Sequence, residues 1–261
     1  MRFRKSIVIT AGMAVVLATG VGVASASPSS SSGGSAQSGY NAIPSKVSGN
    51  VISLGFEATA TTEFGDEVGL SGSARGLQSM SVVLSSWGCE TGHWGDPPAP
   101  PCVTTPGATF DVPMTFTVYA DNAGVPGAVL AQQTQTFAVA YRPSASPLCT
   151  SGKWYNSKDK TCYNGFPQIV QMNFTGVTLP SQVIWSVSYN TTHYGSAPVG
   201  ESAACFTSSG GCGYDSLNVG AESAPKAPFA GVDLNEDLAF VNGVMESGWT
   251  GYRPMGALVT K

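Results

Sequence analysis

The 261 residues include 32 glycines and 17 prolines, with 42% hydrophobic and only 11% charged side chains, a composition that suits many short strands joined by turns and argues against long surface helices. The net charge is −4 and the sequence has no basic stripe, which argues against nucleic acid or an anionic membrane as partner. Beyond the first 26 residues, no apolar stretch reaches the roughly 18 residues that a membrane-spanning helix needs.

The chain opens Met1-Arg-Phe-Arg-Lys5, continues as an apolar run from Ile7 to Val23 and reaches Ala24-Ser25-Ala26. A charged start, an apolar centre and a small-residue cleavage site are the pattern of a secretory signal, so residues 1–26 are expected to be removed on export. Export places all six cysteines in an oxidising compartment. Without Arg2, Arg4 and Lys5, nine of the twelve basic residues face sixteen acids, a charge of −7. Residues 27–39 are almost all Ser and Gly and read as a flexible linker. Residues 40–261 are of a length that all-β chains commonly fold as one domain. No cysteine follows the cleavage point to take a lipid, and Gly256–Lys261 is not a hydrophobic tail. A secreted, extracellular protein with no transmembrane segment is therefore expected.

Strand signatures follow in chain order. Met80, Val82 and Leu84 alternate with serines and valine. Val112, Met114, Phe116 and Val118 share one face of the next strand, with Thr115, Thr117 and Tyr119 opposite. After a turn signal at Asp121-Asn-Ala-Gly124 come Phe137, Val139 and Tyr141, then Val170, Met172 and Phe174, then Val183, Trp185, Val187 and Tyr189. Each alternates with small or polar residues, as half-buried strands do. Prolines 143, 147, 180 and 198 punctuate the breaks. One inner face per strand predicts an all-β fold, a two-sheet antiparallel sandwich. Trp87, Phe116, Val118, Phe137, Phe174 and Trp185 are its expected core. Tyr-Arg-Pro occurs twice, at residues 141–143 and 252–254, without matching surroundings, and is read as coincidence.

Six cysteines allow many pairings. The simplest joins local pairs, Cys89–Cys102, Cys149–Cys162 and Cys205–Cys212, each across a segment rich in Gly, Pro or Ser.

Ser53-Leu-Gly-Phe-Glu-Ala-Thr59, Ser85-Ser-Trp-Gly-Cys89, Gly107-Ala-Thr-Phe110, Tyr189-Asn-Thr-Thr192 and Asp215-Ser-Leu-Asn-Val219 together resemble a family of uncharacterised secreted bacterial β-sandwich proteins. More loosely, the chain looks like the jelly-roll modules found beside cell-surface anchoring signals. The resemblance spans residues 40–261 and is most specific at Trp87-Gly-Cys89 and Ser216-Leu-Asn-Val219. It implies a jelly-roll-like sandwich, stapled by disulfides, and extracellular placement. It transfers no activity and no site residues.

Candidate chemistry is sparse. The two histidines, His93 and His193, lie in loop sequence, and no Gly-x-Ser-x-Gly occurs. Glu57, Glu63, Asp66 and Glu67 cluster. A glycosidase needs two carboxyls roughly 5–10 Å apart, but the stretch between Glu57 and Glu63 holds no aromatic for a sugar. Asp233-Leu-Asn235-Glu-Asp237 offers alternating oxygen ligands, and Asp233, Asn235 and Asp237 with Asp66 are a candidate structural calcium site. Leu238 stands where an EF-hand needs glycine. Trp94, Trp154, Tyr155 and Tyr163 sit in or beside the cysteine loops and are the candidate ligand-binding rings. No catalytic residue and no organic cofactor is assigned.

The expectation is a non-catalytic module that associates with extracellular polysaccharide or cell-wall polymer. A secreted carboxylate-dependent, glycosidase-like hydrolase and a purely structural surface protein are the alternatives.

Overall fold

The computed structural model describes residues 36–47, 49, 51–54, 61–92, 101–189, 217–223, 226–235, 238–241, 244–245 and 251–261. The signal region, the start of the linker, His93, Trp94, His193, Glu57, Asp237, Cys205 and Cys212 lie outside them. Within the described residues the fold is all-β, without helices. In chain order the strands are β1 (Gln37–Asn41), β2 (Ile52–Leu54), β3 (Glu63–Gly69), β4 (Leu77–Ser86), β5 (Thr109–Asp121), β6 (Pro126–Ala140), β7 (Trp154–Asn156) and β8 (Thr161–Tyr163). They continue as β9 (Phe166–Asn173), β10 (Gln182–Tyr189), β11 (Leu217–Ser223), β12 (Val232–Asp233), β13 (Leu238–Val241), β14 (Val244–Met245), β15 (Tyr252–Pro254) and β16 (Gly256–Thr260).

Two antiparallel sheets pack together. The first runs β1-β16-β4-β11-β15, with β2 on β11 and β9 on β4; the second runs β14-β13-β3-β10-β5-β6, with β12 on β3. Strands β7 and β8 form a separate two-stranded ribbon. In the first sheet β9 follows β4 from Ser79 to Ser86. The chain from β15 to β16 pairs first with β11 and then with β4. Met255 makes the handover, donating its amide to Gly220 and accepting from Val83.

The period-two faces become the core. Met80, Val82 and Leu84 of β4 meet Val112, Met114, Phe116 and Val118 of β5 and Val183, Trp185 and Val187 of β10 in one buried cluster. Phe174 is buried with them. Phe137 and Trp87 are only half-buried, a correction to the expected core. Phe137 lies on edge strand β6, where the opposing sheet covers it only partly, and its ring rests on Phe116 at 5.8 Å between centroids. Trp87 follows the last residue of β4 and covers Gly165, where a Cβ would stand 2.6 Å from the indole nitrogen.

The linker ends earlier than its composition suggests. Gln37 and Ser38 pair with Thr260 and Val259, so the domain begins before Tyr40. An edge strand can be held by backbone hydrogen bonds alone, and Ser and Gly give no apolar signal of it.

The β5–β6 connection is a two-residue hairpin. The Asn122 amide donates to Val125 at 3.0 Å, and Ala123 and Gly124 have φ of 55° and 80°. Two consecutive positive φ values mark a type I′ turn, which matches the twist of the strands it joins.

Candidate functional site

Two of the expected disulfides are formed. Cys89–Cys102 and Cys149–Cys162 each link residues 13 apart, with Cα separations of 5.5 and 5.8 Å. Both lie at the end of the sandwich where β4, β6 and β9 have their termini. Arg142 ties the two loops together. Its amide donates to Gly88 O beside Cys89, and its Nη2 donates to Gly152 O at 2.7 Å within the second loop. The guanidinium is fully buried with no acid beside it among the described residues, and burial pushes its pKa down to about 10.

Of the four candidate ligand-binding rings Trp94 lies outside the described residues, and the other three do not share one exposed face. Trp154 points inward and is only 6% exposed, and its Nε1 donates to Gly165 O at 3.0 Å. Tyr163 lies opposite Trp154 in the ribbon, with ring centroids 5.3 Å apart. The Tyr163 ring is close enough to Gly49 that a Cβ there would stand 2.4 Å from it. Tyr155 pairs with Cys162, one position on, and so faces the other side of the ribbon. Alternation along two short strands separates Tyr155 from Trp154 and Tyr163.

A cleft lies beside this ribbon instead. It has a volume of about 520 Å³, and its lining includes Thr105, Pro106, Tyr141, Pro143, Ser144 and Phe166. Tyr141 and Phe166 are half-buried, each offering part of its ring. The rings are braced from behind: Phe110 packs on Tyr141 at 4.7 Å, and Trp154 meets Phe166 edge-on at 5.7 Å. The walls are tied by hydrogen bonds. Ser144 Oγ accepts from the Thr104 amide at 2.9 Å and donates to its carbonyl at 3.1 Å, and the Ala145 amide donates to Cys102 O. Sequence reasoning missed both cleft aromatics. Tyr141 looks like one more inward residue of an alternating strand, and Phe166 lies in no alternating run. Their position at the mouths of the cysteine loops was the available signal.

Of the four candidate calcium ligands Asp237 lies outside the described residues, and the other three take separate partners. Asp66 points into the core, where it is fully buried and accepts from Tyr40 Oη at 2.9 Å. Burial and the neighbouring Asp66 push the Tyr40 phenol well above its usual range. Asp233 lies against Arg253, with Oδ2 at 3.5 Å from Nη1, while Nη2 of the same arginine is bound to Glu222. Asn235 hydrogen-bonds to Glu67 on the opposite face of β3 from Asp66. Among the described residues no three acidic, histidine or cysteine side chains form a metal cluster.

The outer face of the second sheet carries a polar row. Glu63 accepts from Tyr119 Oη at 2.8 Å and from Ser186 Oγ. Burial, with the Glu63 hydrogen bond and charge, pushes the Tyr119 phenol up to about 12. Gln132 on β6 donates to Thr117 at 3.1 Å. Further along β3, Glu67 is hydrogen-bonded to Asp121, and burial and that neighbour raise the Glu67 pKa.

No described helix is long and apolar enough to cross a membrane. No protein-family model, curated protein or solved structure matches the chain.

Proposed function

We propose that the protein is a secreted, non-catalytic binding module for extracellular polysaccharide, with the Tyr141–Phe166 cleft as its binding site. The observation that carries this reading is a pair of half-exposed, braced aromatic rings in a cleft of about 520 Å³ beside two disulfide loops. That volume is within the usual span for ligand sites, and a site rigid before binding loses little ordering entropy on binding. Half-exposed rings offer flat apolar faces for the C–H faces of sugar rings, and the hydroxyls of Thr105 and Ser144, whose protons go to Glu90 and to Thr104 O, keep lone pairs that can accept from sugar hydroxyls. The net charge of −4 favours neutral or basic polymers over polyanions. Two disulfides are compatible with an oxidising, extracellular setting, and the N-terminal signal pattern supports export.

The test is a glycan array and pull-down on insoluble polysaccharides. Tyr141→Ala is expected to weaken retention by about fivefold to tenfold, the worth of one aromatic contact of about 1 kcal/mol. The Tyr155→Ala variant should bind as the parent does, because Tyr155 lies outside the cleft lining. Retention unchanged in Tyr141→Ala would overturn the reading. Release of reducing sugar would move it to a carboxylate-dependent hydrolase, for which Glu63, held by Tyr119 and Ser186, is the first residue to replace.

A further inference from the structure

Strand β6 ends the second sheet and runs for 15 residues, Pro126–Ala140, without one charged side chain. Edge strands in soluble proteins are ordinarily short, or blunted by lysine, proline or a bulge, because an open row of amides and carbonyls templates pairing with another strand. The other long edge near it, β9, follows that rule: it has eight residues and carries Pro167. In β6 the only proline is the first residue, and both irregularities in the pairing, one at Leu130 and one between Pro126 and Val129, precede the run from Ala131 to Ala140, which pairs with β5 without a shift.

The direction of the free groups follows from the ladder. The Tyr141 amide donates to Ala108 O, toward β5, while the Ala140 amide donates to the Gln168 side chain on the other side. Alternation along an unbroken register then turns the amides and carbonyls of residues 132, 134, 136 and 138 away from β5. Among the described residues no strand pairs with that side of β6. Gln132, Gln133, Thr134, Gln135 and Thr136 are all exposed, on both faces of the sheet.

We propose that this edge pairs with the same edge of a second copy of the chain, antiparallel, about a two-fold axis at Thr134. The run is self-complementary about that residue. Thr134 meets its own copy, Gln132 meets Thr136, and each of these outward-facing pairs exchanges two N–H···O bonds. Gln133 meets Gln135 of the second copy on one face, amide to amide, and no like charges oppose. The ladder is short, so the dimer depends on concentration. Ala140 and Tyr141 at the end of the strand line the cleft, so a dimer carries two clefts; the pairing itself does not depend on what they bind.

Sedimentation analysis of the purified protein over a concentration series tests the pairing, together with amide hydrogen exchange. The parent should shift from monomer to dimer with rising concentration, with protection growing at residues 132, 134 and 136. Gln133→Lys with Gln135→Lys sets lysines opposite each other twice across the axis and should weaken the dimer by about tenfold or more. Gln133→Lys with Gln135→Glu sets lysine opposite glutamate and should restore it. Thr134→Pro removes an outward amide and the Thr134 hydroxyl bond to Thr115 but no backbone bond of the β5 ladder, and should leave a folded monomer, whereas Thr134→Val, which loses the same hydroxyl bond and keeps the amide, should still dimerise. A parent that stays monomeric at every concentration overturns the proposal. So does a dimer that the double-lysine variant leaves intact, one whose protection falls elsewhere, or an edge that takes up only foreign extended peptides.

Discussion

The indole of Trp185 on the second sheet lies against Gly256 on the first, so close that a Cβ on Gly256 would stand 2.3 Å from Trp185 Cζ2. Trp185 is fully buried and among the largest side chains of the core. The sandwich accommodates it because the facing strand carries no side chain at that point. A second glycine, Gly65 on the neighbouring strand β3, clears the Trp185 backbone, where a Cβ would stand 2.0 Å from its carbonyl oxygen.

Gly256→Ala should therefore cost about 1–3 kcal/mol or more of stability, the range for an overpacked core, measured by urea unfolding. Trp185→Leu should lower stability alone, yet cost less in the Gly256→Ala background, because the smaller side chain relieves the clash. Additive losses in the double variant would show that the two residues do not share one space.

Trp154→Ala should destabilise the fold by about 3–5 kcal/mol, as removal of a buried tryptophan does. The indole braces Phe166 and donates to Gly165 O, so its loss should also loosen the cleft. Trp154→Phe should recover part of the stability but not the hydrogen bond. A Trp154→Ala variant that melts with the parent would place the ring at the surface.

Glu67→Gln should raise stability at neutral pH and leave it nearly unchanged below about pH 4. Burial and the neighbouring Asp121 raise the folded pKa of Glu67 above its ordinary 4.5. The folded state then holds the Glu67 proton more tightly than the unfolded chain does. Its contribution is fully present below 4.5 and is lost as pH rises through the folded value. Glu67→Gln keeps a neutral partner for Asp121 and removes that loss. Parallel stability–pH curves for the two proteins would contradict the assignment.

Ala123→Asn should stabilise the β5–β6 hairpin by about 0.5–1 kcal/mol, because asparagine tolerates the left-handed conformation better than alanine and Asn-Gly is the preferred type I′ pair. Ala123→Val should do the reverse, since a β-branched side chain is strained at a φ of 55°. Chemical unfolding of both variants against the parent measures the difference.

The two Tyr-Arg-Pro triplets show where a local reading stops. Both arginines are buried, yet among the described residues Arg253 meets Glu222 and Asp233 while the Arg142 guanidinium meets a backbone carbonyl and no acid. The same three letters lie in different surroundings because Arg253 finds its partners on β11 and β12 while Arg142 finds its own in the adjacent cysteine loop. Asp66 and Asn235 look like members of one ligand set, but strand alternation sends Asp66 to Tyr40 in the core and turns Glu67, the partner of Asn235, to the outer face.

By itself the sequence determined the all-β class, the inward faces of β4, β5, β9 and β10 and two local disulfides, because period-two alternation and short loop closure are written in neighbouring residues. Only the tertiary structure decided that Trp154 is buried against Phe166, that Tyr141 and Phe166 share a cleft, that β6 is an edge among the described strands and that Gly256 makes room for Trp185. Each of those depends on which strands meet, and strand order is set by contacts between residues far apart in the chain, of which a local pattern holds no record.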